Sequence, residues 1–192
     1  MVREQFQELR NIEKKILNSD LNRLSLDIEK ISRKTNLIFT IKFPDKNQKE
    51  QYPEIHLLLE VVNALVRQIP NELTPFSAGI NFGFIKKGEF RLSIEGMDFL
   101  YRQKLITTPH QLITNSEGEK AVLYGNEIRK YMVETHPISY KKNHILAVLN
   151  RQKEVIAIAK PIVNFNEWNL LENKKIVAYN LIDKGYYLRS AQ

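Results

Sequence analysis

Leu123-Tyr124-Gly125-Asn126 and Asp183-Lys184-Gly185-Tyr186-Tyr187-Leu188-Arg189 bracket the last third of a 192-residue chain. Between them lie His144–Asn150, Val155–Lys160 and Ile176–Tyr179, short runs rich in β-branched and aromatic residues, and His110–Thr114 and Ala121–Leu123 lead in with the same character. Such runs, separated by turn residues, read as strands. The closing run Tyr186–Arg189 reads as a last strand, whose alternation sends Tyr186 and Tyr187 to opposite faces. One short helix is expected from Asn126 to Tyr131. The whole is a small, mostly β module.

Toward the N-terminus the pattern changes. Thr107-Thr108-Pro109 is the expected domain boundary, dividing the chain into 1–108 and 109–192. Helical spacing of Phe6, Leu9, Ile12, Ile16 and Leu17 predicts a helix over Val2–Leu17, broken by Asn18-Ser19-Asp20 before a second apolar stretch from Leu21 to Ile31. Asn36–Phe43 predicts a strand stopping at Pro44, Asp45–Gln51 a loop, Ile55–Leu58 a strand and Leu59–Ile69 a helix with Val62, Leu65, Val66 and Ile69 on one face, ended by Pro70. Ala78–Ile85 and Phe90–Ile94 flank the turn Lys86-Lys87-Gly88-Glu89 and form a hairpin. Met97–Leu105 closes the first half as a short helix. The expected class is α+β: an N-terminal α/β domain with an antiparallel sheet, followed by the β module.

Composition excludes several chemistries. With no cysteine there are no disulfides, thiolate metal sites or cysteine nucleophiles. No run of 18 apolar residues marks a membrane span, and the first residues lack the apolar stretch of a signal peptide, which sets the expectation of a cytoplasmic protein. His56, His110, His136 and His144 are scattered, without metal-ligand spacing. No Gly-x-Ser-x-Gly elbow or Asp-x-Asp pair occurs, and Gly79 and Gly83 lack the following Gly-Lys-Ser/Thr of a phosphate loop, so they read as strand glycines. No enzymatic activity, cofactor or metal is expected. The net charge of +7 points to a polyanionic partner. Residues 109–192 hold 12 basic against 8 acidic groups and residues 1–108 hold 17 against 14, so the shorter half is the more positive per residue.

The strand into Leu123-Tyr124-Gly125-Asn126, the helix after it, the hairpin Ile145–Ile158 and the closing Asp183-x-Gly185-Tyr186-Tyr187-Leu188-Arg189 resemble a PUA domain, a pseudo-barrel RNA-binding fold. Upstream, Gly79-Ile80-Asn81-Phe82-Gly83-Phe84-Ile85-Lys86, Phe90-Arg91-Leu92 and Asp98-Phe99-Leu100 run into it in the order and spacing of the archaeal and eukaryotic Nip-seven family of large-subunit ribosome-biogenesis factors. The resemblance covers most of residues 55–189. It implies an RNA-binding factor in pre-rRNA processing and large-subunit assembly, with pre-ribosomal RNA, single-stranded or uridine-rich, as ligand. It also implies assembly proteins, and the RNA exosome, as partners of the N-terminal domain. The competing reading is an rRNA or tRNA modification or processing enzyme with a PUA specificity domain.

An RNA-binding face needs cations for phosphates. The resemblance assigns RNA contact to the segment before the penultimate strand, where this chain has Lys174 and Lys175. Lys160, Lys130, Lys184 and Arg189 join them because PUA folds bring the first helix, a neighbouring strand and the last strand together. Family glycines are replaced here by Tyr131-Met132-Val133 and Ile156-Ala157-Ile158-Ala159, so main-chain contact to RNA is not expected at those places. Trp168, the one tryptophan, is expected to pack rather than stack on a base.

Overall fold

The structure, a computed structural model, describes residues 6–44, 52–69, 75, 77–137, 139–142, 144–186 and 189. The expected loop at 45–51, the stop at Pro70 and the expected strand residues Tyr187 and Leu188 lie outside them. The chain divides into two compact units, Met1–Gly96 and Met97–Gln192.

In the first unit five strands, β1 (Phe6–Glu8), β2 (Ile38–Lys42), β3 (Glu54–Leu58), β4 (Ile80–Lys86) and β5 (Glu89–Leu92), pair in sequence order, each neighbour antiparallel. Helices α1 (Asn11–Leu21), α2 (Ile28–Thr35) and α3 (Glu60–Gln68) accompany the sheet, and α4 (Ile94–Arg102) runs across the division at Gly96. The core gathers Leu17, Leu21, Leu24, Ile31, Ile41, Ile55, Leu57 and Phe82, all almost fully enclosed. Lys87 and Gly88 both take positive φ, 52° and 79°, which gives the β4–β5 hairpin the two left-handed residues a tight turn of matching twist requires. Gly79 and Gly83 fall just before and within β4.

Three expectations for this unit are corrected. The helix read from Val2 to Leu17, whose residues 2–5 lie outside the described ones, is from Phe6 onward strand β1 followed by α1, because residues 6–8 find backbone partners along β2 while Phe6 is buried. Next, α1 continues through Asn18-Ser19-Asp20, since those polar side chains serve distant backbone. Asn18 Oδ1 accepts from the Ile28 amide at 2.9 Å, and Asp20 Oδ2 accepts from the Phe90 amide at 2.9 Å. Finally, α3 turns Val61, Leu65 and Ile69 outward and buries Asn63, whose Oδ1 accepts a 2.9 Å bond from the Thr40 hydroxyl. A satisfied buried amide displaced the leucine from the inner face.

The second unit is a six-stranded sheet in the order β7-β11-β10-β9-β6-β8, curled into a nearly closed, barrel-like domain. Its strands are β6 (Gln111–Thr114), β7 (Ile128–Arg129), β8 (Val133–Thr135), β9 (Leu146–Leu149), β10 (Val155–Pro161) and β11 (Ile176–Asp183), and α5 (Ser116–Leu123) lies between β6 and β7. All pairings are antiparallel except β6 with β9. Val122, Ile128, Leu146, Val148, Ile156, Ala157, Trp168 and Val177 form one core. Trp168 is 8% exposed and is a packing residue, as expected.

Around the two opening strings the local structure differs from the expectation. Ala121–Leu123 is not a strand but the end of α5, whose start is capped by Asn115 Oδ1 accepting from the Gly118 amide at 2.8 Å. Tyr124-Gly125-Asn126 ends this helix instead of opening one. Gly125 takes φ +84°, the Asn126 amide donates to the Ala121 carbonyl and the Gly125 amide to the Val122 carbonyl, the double bond pattern of a left-handed helix stop. The expected helix Asn126–Tyr131 is β7 running into a 3-10 turn, Lys130–Met132. After β11 the described residues of the expected last strand are not extended: Tyr186 and Arg189 are helical and the Arg189 amide donates to the Gly185 carbonyl.

Gly185 and Arg189 close this end of the barrel. The Arg189 guanidinium donates to the Leu123 carbonyl and to both oxygens of Asp183, at 3.1 and 2.9 Å. A methyl group on Gly185 would overlap the Leu123 carbonyl and crowd the guanidinium. Gly185→Ala is therefore expected to lower stability by about 1–3 kcal/mol, the usual cost of forcing an extra carbon into a packed site. Thermal melting of the full chain checks it, and an unchanged midpoint would show that the contact yields freely.

Candidate nucleic-acid interface

The six cations singled out in the sequence do not share one patch. Lys174 and Lys175 sit in the turn before β11, both exposed, with the Lys175 amide donating to the Glu172 carbonyl. β11 pairs with β7 in the register Ile176 opposite Arg129, so the chain around Lys130 is brought against this turn. The Lys130 amide donates to the Lys175 carbonyl and the Tyr131 amide to the Asn173 carbonyl.

Two side chains fasten the same turn. Lys130 Nζ donates to the Leu171 carbonyl at 2.8 Å and lies 6.0 Å from the centre of the Trp168 ring. Arg129 Nη1 donates to the Lys174 carbonyl at 2.7 Å. Four cations, Arg129, Lys130, Lys174 and Lys175, thus meet at one corner. The first two spend hydrogen bonds on the turn's carbonyls, and the last two project from it. Arg129 was not singled out in the sequence; its signal is its place beside Lys130 on a strand that ends against β11.

The remaining candidates lie along and beyond β11. Lys160, half-buried in β10, is paired with Tyr179 midway along the strand. At about 3.3 Å per residue, Lys184 is separated from Lys175 by roughly 25–30 Å of extended chain. Lys184 is exposed, 4.0 Å from Asp98. Arg189 is engaged by Asp183, which holds its guanidinium pKa above the ordinary value through their hydrogen bonds. The structure therefore gathers Lys130, Lys174 and Lys175 and leaves Lys160, Lys184 and Arg189 apart from them.

Exposed aromatic rings are spread over the unit. Tyr124 is 76% exposed at the end of α5, and Tyr131, Tyr179 and Tyr186 also reach solvent. Phe165, at the start of the 3-10 turn Phe165–Leu170, is 37% exposed. Tyr140, by contrast, is enclosed, and burial, with the nearby Glu167 carboxylate adding to it, pushes its hydroxyl up to about 12. Among the described residues no three His, Cys, Asp or Glu side chains gather into a metal-ligating group. His56 is buried in the first unit, with Nδ1 3.0 Å from the Ala78 carbonyl and Nε2 3.2 Å from Glu54. Its hydrogen bond holds the Glu54 carboxyl below the usual carboxylate range.

Against known proteins, residues 110–192 match the UPF0113 PUA domain family. A UPF0113 protein of Archaeoglobus fulgidus is 33% identical over 118 residues, which are 62% of this chain and 64% of that protein, under two thirds of its length. Three solved archaeal structures share the fold at 12% identity. A conserved PUA domain protein from Thermoplasma acidophilum superimposes with a TM-score of 0.59 over 97% of this chain and 98% of its own. A hypothetical protein from Pyrococcus horikoshii OT3 gives 0.60 over 95% and 98%. A PUA domain from Aeropyrum pernix K1, solved as a tartrate complex, gives 0.62 over 94% and 86%. The C-terminal unit is thus a PUA-type domain, a known RNA-binding fold.

His110 and His144 lie with their ring centres 4.9 Å apart. Burial is the main cause that lowers both pKa values below 6.5, and for His144 the neighbouring His110 and Lys141 add to it. Both rings take up a proton less readily in the folded domain than in the unfolded chain. Their stabilising contribution is complete above the unfolded value of 6.5 and is lost as pH falls below it. Melting temperature is expected to fall between pH 7 and 5, and His144→Phe is expected to flatten the decline. A profile identical to wild type would remove His144 from the linkage.

Proposed function

We propose that this protein is a non-enzymatic RNA-binding factor of ribosome biogenesis, acting in the cytoplasm in pre-rRNA processing and assembly of the large subunit. The PUA-type unit grips a single-stranded, uridine-rich stretch of pre-rRNA. The first unit docks assembly proteins, with the exosome among the candidates. The observation that carries the RNA half of this reading is the corner at the start of β11. There Arg129 and Lys130 tie down the backbone of a turn that holds the Lys174 and Lys175 ammonium groups out in solvent. Cations on a fixed turn can meet successive phosphates without ordering the backbone first, and phosphate contacts supply most of the affinity of such interfaces.

The ribosomal role draws on the Nip-seven resemblance of Gly79–Leu92 and Asp98–Leu100, ahead of the residues that match the PUA family. The non-enzymatic reading is supported by how buried ionisable side chains are employed. Asp183 is matched by Arg189, His56 lies between a carbonyl and Glu54, and Glu13 caps α1 against Arg10. Each of these three has a structural partner.

The test is affinity for single-stranded, uridine-rich RNA as a function of salt. Lys174→Ala combined with Lys175→Ala is expected to weaken binding and to shrink the log–log salt slope by about 1–2, one for each phosphate contact removed. Wild-type slope and affinity in the double variant would dismiss the corner. No RNA binding by the wild-type chain at low salt would overturn the function.

A further inference from the structure

A second feature of the PUA-type unit is a cleft of about 510 Å3 lined by Tyr140, Lys141 and His144 on one side and the turn at Asn164–Asn166 on the other. We propose that this cleft seats one unpaired base of the bound RNA. The proposal rests on the RNA-binding reading above and adds to it a place where the base, and not the phosphate, is held.

The walls have the chemistry of a base seat. Phe165 leans against Tyr140 at 6.3 Å and against His136 at 5.7 Å, which fixes its ring while leaving part of it open to solvent. Lys141 and Asn166 are exposed at the rim, a cation and a carboxamide that can reach phosphate and base edge. His144 has a buried Nδ1 without a hydrogen-bond partner among the described residues, an uncommon expense in a folded domain. The nearby carboxylate, Glu167, is neutralised locally. It accepts from Asn164 Nδ2 at 2.8 Å and lies 3.9 Å from Lys142 Nζ. The volume falls within the range of roughly 300–1,000 Å3 common to small-molecule sites.

Position ties the cleft to the cationic corner. The 3-10 turn Phe165–Leu170 begins at the cleft and leads into Leu171, whose carbonyl receives Lys130 Nζ. His136 packs on both Phe165 and Trp168, the latter at 4.3 Å, and Trp168 in turn faces Lys130. Six residues of such a turn span about 12 Å, within reach of a few nucleotides. One strand can therefore lay phosphates on Lys174 and Lys175 and drop a base beside Phe165. A ring stacked there tolerates any base, while the exposed Asn166 amide can select among base edges.

The experiment compares an octauridylate carrying one 2-aminopurine with the same oligonucleotide carrying one abasic position, against the full chain. Phe165→Leu keeps the apolar volume against Tyr140 and removes the ring. It is expected to weaken binding about 5- to 150-fold, the range for one stacked base, to leave the salt slope unchanged and to abolish 2-aminopurine quenching. Asn166→Ala changes an exposed side chain and tests the same cleft if Phe165→Leu fails to fold; it is expected to weaken binding in the same direction. Folded variants that bind and quench like wild type, while the lysine variants still lose slope, would overturn the base seat alone. Loss of all RNA binding by the wild-type chain would overturn the RNA reading and the seat with it.

Discussion

The carboxylate of Asp183 ends β11 at 3% exposure, and the far end of the PUA-type unit depends on how it is satisfied. An unpaired carboxylate at such depth would cost several kcal/mol. Arg189 meets it with two hydrogen bonds and uses the same guanidinium to hold the Leu123 carbonyl at the end of α5. Asn180 adds bonds from its amide to Asp183 at 3.2 Å and to the Val122 carbonyl at 3.0 Å. Three residues from the tail and last strand, Asn180, Asp183 and Arg189, thus fasten the end of a helix some sixty positions earlier. Gly185 is what allows the chain to pass close enough, and Gly125 is what lets α5 stop there. Because β11 pairs with both β10 and β7, fixing one of its ends also fixes the register that brings Arg129 opposite Ile176 at the other.

That arrangement sorts the cations by what they have already spent. Arg189 is compensated by Asp183 before any phosphate arrives, and Lys184 has Asp98 nearby. Arg129 and Lys130 donate to carbonyls of the turn that precedes β11. Lys174 and Lys175 are exposed on that turn, with their backbone held from beneath. Charge counted from composition cannot make these distinctions, since every lysine and arginine contributes one unit. The hydrogen-bond partners decide which unit is available to a polyanion.

How much of this was legible follows from the range of the forces involved. Short runs rich in β-branched and aromatic residues located β2, β3, the β4–β5 hairpin, β9 and β10, because strands buried on both faces, such as β9 and β10, write near-continuous apolar stretches into the sequence. The misread segments are those where a distant partner decides. Ala121–Leu123 has strand-like residues but follows an Asn115 cap and precedes a left-handed glycine, so it completes a helix. Tyr186–Arg189 is aromatic and extended in pattern, yet Arg189 must turn back to reach Asp183. The first residues have helical spacing, but the open edge of β2 supplies backbone partners that a lone helix turn could not match. At the site, Lys174 and Lys175 could be nominated from resemblance, whereas the cleft could not: Tyr140 and Phe165 are far apart in sequence, and the stretch Asn164-Phe165-Asn166 shows only an aromatic set between amides.

The corner and the cleft divide two demands that a single surface meets poorly. Phosphate contacts act at long range and are insensitive to sequence, so they favour rapid capture and are weakened by salt. A base held against a ring and an amide acts only at contact, is nearly indifferent to salt and is where preference for one base over another can arise. Joining both through one short 3-10 turn, with Lys130 bonded at one end and Phe165 braced by Tyr140 and His136 at the other, keeps the distance between them fixed. A strand that satisfies the lysines is then presented to the cleft at a set spacing, so that discrimination follows from geometry already present in the unbound domain.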